Sequence, residues 1–320
     1  MIHLPIKYIF VLLFLIIHLT IDAQDFYKID SIVLQYPDRK TSLDELVHFI
    51  KNDFDTDTEK SRAIFTWIAH HIRYDVKKYH SYLKSKKKNN KNVKYKNRFK
   101  YEQKVANNTY RKRKGICGDY SVLYQHLCDL TGVECAVISG YAKTSLKNIG
   151  SKSGERHAWN AVYIDHKWQL LDVTWAAGYL SEDTFYPSFN DYYFFTNPDM
   201  FFLKHFPRKT EWVLTDKTRE DFKDLPLINS YFLWSLVSIN QPEKGTIKVE
   251  NNKIVIYLSN IKFYDNISYS FYNQGYGEIV KKNASDDNCR FEIDYLSKKK
   301  DYLSIYINSQ LFATYKIKTR

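Results

Sequence analysis

"RKRKGICGDYSVLYQHLCDL", residues 111–130, holds four consecutive basic residues, two cysteines and an apolar pattern of helical period. The pattern predicts a helix from Cys117 to about Leu130, ended by Gly132 as its C-terminal cap. On one continuous helix, eleven steps of about 1.5 Å hold the Cα atoms of Cys117 and Cys128 roughly 16 Å apart, against a disulfide limit near ~7 Å. These two cysteines are therefore not partners. A thiol at the first helical position faces N–H groups without intrahelical acceptors and the positive end of the helix dipole, both of which favour thiolate. Gly115 and Gly118 flank Cys117 and leave backbone room for a substrate. Cys128, three turns deeper, reads as a core residue. A Cys128–Cys135 bridge across the helix end is left open, with two free thiols the preferred reading. The spacings contain no close chelating pair of the zinc type, so no metal site is expected.

A thiolate nucleophile needs an imidazole to carry protons and a carboxylate to orient it. Both stand in "HAWNAVYIDHKWQLLDVTW", residues 157–175, which reads as two strands around a polar turn at Asp165 and His166. A two-residue turn pairs Ile164 with Lys167 and carries His157 opposite Thr174, making Asp172 its diagonal neighbour on the same face. Such neighbours lie roughly 7–8 Å apart, within reach of a ring and a carboxyl. His166 competes for the imidazole role, but it sits in the turn, where exposure to solvent is the simpler reading.

Upstream, "TSLDELVHFIKNDF" and "TDTEKSRAIFTWIAHHIRYD" each open with a capping box, Ser42 with Glu45 and Thr56 with Glu59, and predict two core helices. Trp67 belongs to the apolar stripe of the second. His70 and His71 are adjacent, project in different directions and form no metal pair. From Tyr231 onward, short alternating strands separated by Asn, Gly and Asp turns predict a β-sandwich.

The 320 residues, 44% apolar and 17% aromatic, suffice for two domains and exclude global disorder. Net charge is +12, and residues 84–114 alone carry fourteen Lys or Arg against one Glu. Charge this local argues against a nucleic-acid-binding face. The segment reads as a solvated loop, the alternative being a docking site for an anionic polymer or an acidic membrane surface. Residues 1–23 read as an export signal: Lys7, an apolar run from Tyr8 to Ile17, and a small residue, Ala23, before the cut. An uncleaved membrane anchor is the alternative. The expected location is periplasmic, cell-envelope or extracellular.

Taken together, "GICGDYSVLYQHLCDLTGVECAVISGYAK", "HAWNAVYIDHKWQLLDVTWAAGY" and "EKSRAIFTWIAHHIRYD" resemble the transglutaminase-like superfamily of papain-related folds. "DYYFFTNPDMFFLKHFPRKTEWVL" resembles its kyphoscoliosis-peptidase branch, with a tyrosine-rich segment and a His-Phe-Pro turn. The resemblance covers about residues 25–228. It implies Cys117 as nucleophile, His157 as general base and acid, and Asp172 as orienting carboxylate; the chemistry itself requires no metal or organic cofactor. The expectation is an α+β protein: a signal at 1–23, a papain/transglutaminase-like core at 24–228 whose nucleophile helix packs on an antiparallel sheet, a basic insertion at 84–114, and an all-β sandwich at 229–320. The expected function is thiol-dependent acyl transfer on protein or peptide amides, hydrolytic in preference. A protein-crosslinking transglutaminase has the same triad, and a non-catalytic binding module at the cell envelope is the reading from a different class.

Overall fold

The computed structural model describes residues 22–318 apart from 38–40, 89–97, 153, 234, 236, 263, 273–274, 281–286 and 298–300. The expected export signal thus lies outside the described residues except for Asp22 and Ala23, which open helix α1, Asp22–Val33. Phe26, Ile29 and Val33 fall on one face of α1, and the last two are buried. Helices α2, Leu43–Asp53, and α3, Asp57–His71, begin at the two expected capping boxes. In each, the cap hydroxyl accepts from the N–H of the glutamate three residues on, whose carboxylate accepts in return. Trp67 is 2% exposed, as its place on the apolar stripe requires.

Most of α3 is buried, including one charge. Arg62 donates to both carboxylate oxygens of Asp30, at 2.9 and 2.6 Å, and also to Asp191. Rings of Phe26, Phe65, Phe189 and Phe194 surround the guanidinium at 4.9–5.6 Å. A charge so enclosed is tolerable only because it is paired and hydrogen-bonded. The pairing ties α1 and the turn at Asp191 to α3.

Strand β1, Arg73–Tyr74, lies parallel to β2, Lys114–Gly115. Between them run α4, Val76–Lys88, and α5, Arg98–Lys112. The basic segment is therefore not a loop over residues 98–112. Ala106, Thr109 and Tyr110 are buried at helical spacing, an apolar stripe hidden among lysines, and α5 packs on the cysteine helix with it. That helix, α6, spans Cys117–Thr131 and ends at Gly132 in the left-handed region, φ 88°, with its N–H bonded to Cys128 O.

The central sheet has strand order β5-β4-β3-β8. Its members are β3, Cys135–Ala142; β4, Glu155–Ile164; β5, Lys167–Leu171; and β8, His205–Pro207. Strands β4 and β5 pair from Ile164↔Lys167 to Asn160↔Leu171, across a turn in which Asp165 and His166 both have positive φ. That is the expected register, but β5 stops one residue before Asp172. Asp172 leaves the strand to cap a single helical turn, α7, Val173–Ala176, so Thr174 is helical and does not face His157 across the ladder. The diagonal-neighbour reading is corrected accordingly: the backbone N–H groups of Thr174 and Trp175 are better served by the Asp172 carboxylate than by continued pairing. A hairpin of β6, Gly178–Ser181, and β7, Thr184–Pro187, follows, with short helices α8, Pro198–Phe202, and α9, Arg219–Asp224.

The rest of the chain is all-β. Strands β9, Leu227–Ile228, β10, Ser238–Gln241, β11, Thr246–Lys248, β12, Lys253–Ser259, and β13, Ile267–Phe271, precede β14, Gly275–Val280, β15, Asn288–Asp294, β16, Asp301–Ile307, and β17, Gln310–Lys318. One sheet has the order β10-β12-β15 and the other β11-β17-β16-β13-β14, with β9 added on β17. Inward residues such as Ile256, Leu258, Leu303, Ile305 and Tyr315 form one core between alternating outward polar positions, the sandwich pattern expected. By packing, the chain divides into Met1–Val137 with Trp159–Phe195, and Ile138–Ala158 with Thr196–Arg320. Strands β3 and β4 each start in one unit and end in the other.

Candidate active site

Cys117 is half-buried and is the first residue of α6, after Ile116 in extended conformation. Its position is fixed from below. Asp119, in the first turn, accepts the Ile116 N–H at 2.8 Å, and both of its oxygens accept from Lys78 Nζ at 2.8 and 2.7 Å. A Cβ on Gly115 would stand 2.7 Å from Asp119 Cβ, so Gly115 makes room for this carboxylate and not for a substrate. Gly118 differs: nothing lies within 4 Å of a Cβ built there, and the side next to Cys117 is open. Deeper in α6, the Tyr120 hydroxyl donates to Ile72 O at 2.6 Å, and that of Tyr124 bonds Ser61 Oγ at 2.6 Å. These bonds lock the helix against α3. Tyr74 stands close to Cys117; burial first, then that proximity, raises its phenol above the ordinary range.

All four cysteines are free thiols. Cys128 is fully buried, and burial followed by its hydrogen bond with Cys135 pushes its thiol well up, which suits a packing residue and not a nucleophile. Asn160, fully buried on β4, donates to Ser121 O at 3.0 Å and Ala136 O at 3.3 Å, and so joins α6 to β3.

His157 is buried on β4 and Asp172 is fully buried at the N-cap of α7. Oδ1 of Asp172 accepts from Thr174 N at 3.0 Å and Trp175 N at 3.1 Å, and its own N–H donates to Tyr193 O at 2.9 Å. Charge-assisted bonds of this kind hold a carboxylate in one orientation. A third residue joins them. His205 on β8 stacks on Phe201 at 4.0 Å and sets its ring 5.4 Å from that of His157. Ring nitrogens of His157 and His205 and a carboxylate oxygen of Asp172 lie within 4.8 Å of one another, the one group among the described residues close enough to hold a metal ion. The same set serves equally to pass a proton. His205 was visible in the sequence only as part of the His-Phe-Pro turn; its signal was a histidine beside Lys204 inside the mostly apolar run "FFLKHFP". His166 is exposed at the hairpin turn, and His70 and His71 belong to no such group.

The transglutaminase-like superfamily model matches residues 45–173. This segment belongs to the transglutaminase-like superfamily. The matched segment takes in Cys117, His157 and Asp172 and ends one residue after the last of these, short of His205. The chain is 32% identical over 244 residues to human "Kyphoscoliosis peptidase", covering 74% of this chain and 34% of that protein. It is 27% identical over 282 residues to "Hillarin" of Drosophila melanogaster, covering 76% of this chain and 32% of that one. The chain thus spans about a third of the length of the curated relatives it matches. Among solved structures, the "Crystal structure of a TGase" is 16% identical, covering 57% of this chain and 40% of that one with a TM-score of 0.29. At that score the assignment of the domain rests on the sequence match.

Proposed function

We propose that this protein is an exported thiol enzyme that cleaves protein or peptide amides, with Cys117 as nucleophile, His157 as general base and acid, and Asp172 as orienting carboxylate. The observation that carries the reading is the place of Cys117: a partly exposed thiol at the first position of a helix, beside the open side of Gly118, within a transglutaminase-like match that also contains His157 and Asp172. The Cys117 sulfur attacks the amide carbonyl and its proton passes to His157. The oxyanion is met by the backbone N–H of Cys117, which has no intrahelical acceptor. His157 returns the proton to the departing nitrogen as the C–N bond breaks, leaving a thioester. Water, deprotonated by His157, then attacks the thioester; the acid leaves and the thiol is restored. Asp172, locked by two backbone N–H groups, holds the imidazole in its productive tautomer.

Water as second nucleophile is supported by the 32% identity to a protein named a peptidase. A lysine amine in its place would make a crosslink from the same thioester. The deciding experiment incubates the protein with a glutamine-containing peptide and a labelled amine. Ammonia or cleaved peptide without label, abolished by Cys117→Ala and by His157→Gln, is the expected result. Label incorporation abolished by the same variants would establish transfer. Alkylation near neutral pH should modify Cys117 before the other three cysteines, and equal slow labelling would remove the nucleophile assignment and leave a binding module. Export is read from residues 1–23; the mature product should begin at Gln24, and a product retained in the cytosol with Met1 intact overturns it.

A further inference from the structure

The excess positive charge has a structured place that the thiol chemistry does not use. A groove of about 1240 Å³ lies along α5, closed on one side by Thr41, Ser42 and Leu43 at the start of α2. Among the described residues its cations are Lys104, Arg111 and Arg113, and no carboxylate lines it. Arg113 is the unusual member. Its backbone stands at φ 53°, in the left-handed region that non-glycine residues enter rarely. Its guanidinium carbon lies 4.4 Å over the Trp67 ring and 4.5 Å over that of Tyr110, and these two rings stack 5.1 Å apart. Arg113 is only partly buried and lines the groove, and the aromatic bed fixes its planar fork, so an oxyanion in the groove meets preset donors.

We propose that this groove binds an anionic polysaccharide, whose carboxylate or sulfate groups pair with Arg113, Lys104 and Arg111. Three features favour a glycan over other polyanions. Asn107 and Asn108 place side-chain amides beside the cations, donors and acceptors suited to sugar hydroxyls. The groove's wall is a helix face and a helix cap, not the open strand edge along which an extended peptide pairs its backbone. Among the described residues Leu43 and Val105 are its only aliphatic lining, too little for insertion into lipid. At 1240 Å³ the groove also exceeds the common ~300–1,000 Å³ of small-molecule pockets, which fits a stretch of polymer. The inference does not depend on the proposed chemistry at Cys117.

The test is retardation of the full chain in native gels cast with polygalacturonate, dextran sulfate, uncharged dextran or polyglutamate, and its co-sedimentation with phosphatidylglycerol vesicles. Retardation by the two acidic glycans and not by dextran, weakening with salt, is expected. Lys104→Gln with Arg111→Gln should weaken it about tenfold, as the loss of two charged contacts implies. Lys77→Gln with Lys84→Gln, an equal change of charge on exposed residues of α4 outside the groove, should change it less than about twofold. Arg113→Lys, which keeps the charge and removes the fork, should weaken it several-fold, and serves also if the double variant fails to fold. Equal loss in both lysine-bearing pairs would reduce the effect to net charge and overturn the site. Tighter binding to polyglutamate or to vesicles would assign the groove to an acidic peptide or a membrane instead, and no retardation by either acidic glycan would refute the proposal.

Discussion

Replacing Asp119 with alanine should destabilise the unit that carries Cys117 by about 2–3 kcal/mol. The Ile116 N–H loses a charged acceptor 2.8 Å away, a bond of the class worth about 1.5–3 kcal/mol net. The first turn of α6 also loses a negative charge, worth ~0.3–1 kcal/mol against the helix dipole. Lys78 adds little to the total. Its side chain is 47% exposed and returns to water when the partner goes, so the pair stays below about 1 kcal/mol. Asp119→Asn keeps an oxygen for Ile116 and gives up the charge, which should halve the loss. Urea unfolding at neutral pH, followed by tryptophan fluorescence with Trp67 among the buried reporters, should therefore rank the midpoints wild type, Lys78→Met, Asp119→Asn, Asp119→Ala. If Lys78→Met costs as much as Asp119→Ala, the ion pair and not the cap holds the helix start. If Asp119→Ala costs under about 0.5 kcal/mol, the account of how Cys117 is positioned is wrong.

Arg62→Met should cost about 3 kcal/mol in the same assay, because the partly buried Asp30 keeps its charge and loses its partner; an Asp30→Asn, Arg62→Met double variant should recover part of this. Asn160→Asp replaces the N–H donors to Ser121 O and Ala136 O with a buried carboxylate, so its destabilisation should be larger at neutral pH than near pH 4, where the acid is protonated; an equal cost at both would remove the charge from the explanation. Lys204 is buried, and burial with the nearby Lys143 charge pushes its amine down to about 8. Below pH 8 the charge is present folded and unfolded, and only the folded state bears the burial cost; from pH 8 to the ordinary lysine value the folded state sheds its proton first and that cost fades. Lys204→Met should accordingly raise the urea midpoint at pH 7, with the advantage shrinking towards pH 10, and an advantage that does not change with pH would count against this reading.

What could be read from the sequence follows the range of the forces involved. Capping boxes at Ser42 and Thr56, the left-handed cap at Gly132 and the register around Asp165–His166 are decided within a few residues, and each stands where its local signal put it. Helix α5 escaped because its buried stripe of Ala106, Thr109 and Tyr110 is narrow and weakly apolar, and fourteen positive charges across residues 84–114 mask it. Asp172 escaped for a different reason: strand continuation and N-capping compete there, and capping wins because the carboxylate satisfies two backbone N–H groups. His205 could not be placed from spacing, since β8 reaches His157 only by pairing with Ala142 on β3, far away in the chain. Gly115 looked like room for a substrate and proved to be room for Asp119, a distinction that depends on which side chain turns inward.

The two short parallel strands, Arg73–Tyr74 and Lys114–Gly115, stitch both ends of the basic excursion together two residues ahead of Cys117. The excursion is held at more than its base, since α5 packs its buried stripe on α6 and Lys78 on α4 pairs with Asp119. Its exposed lysines can change without moving the start of α6, so whatever surface the charge addresses can be retuned separately from the placing of the Cys117 thiol.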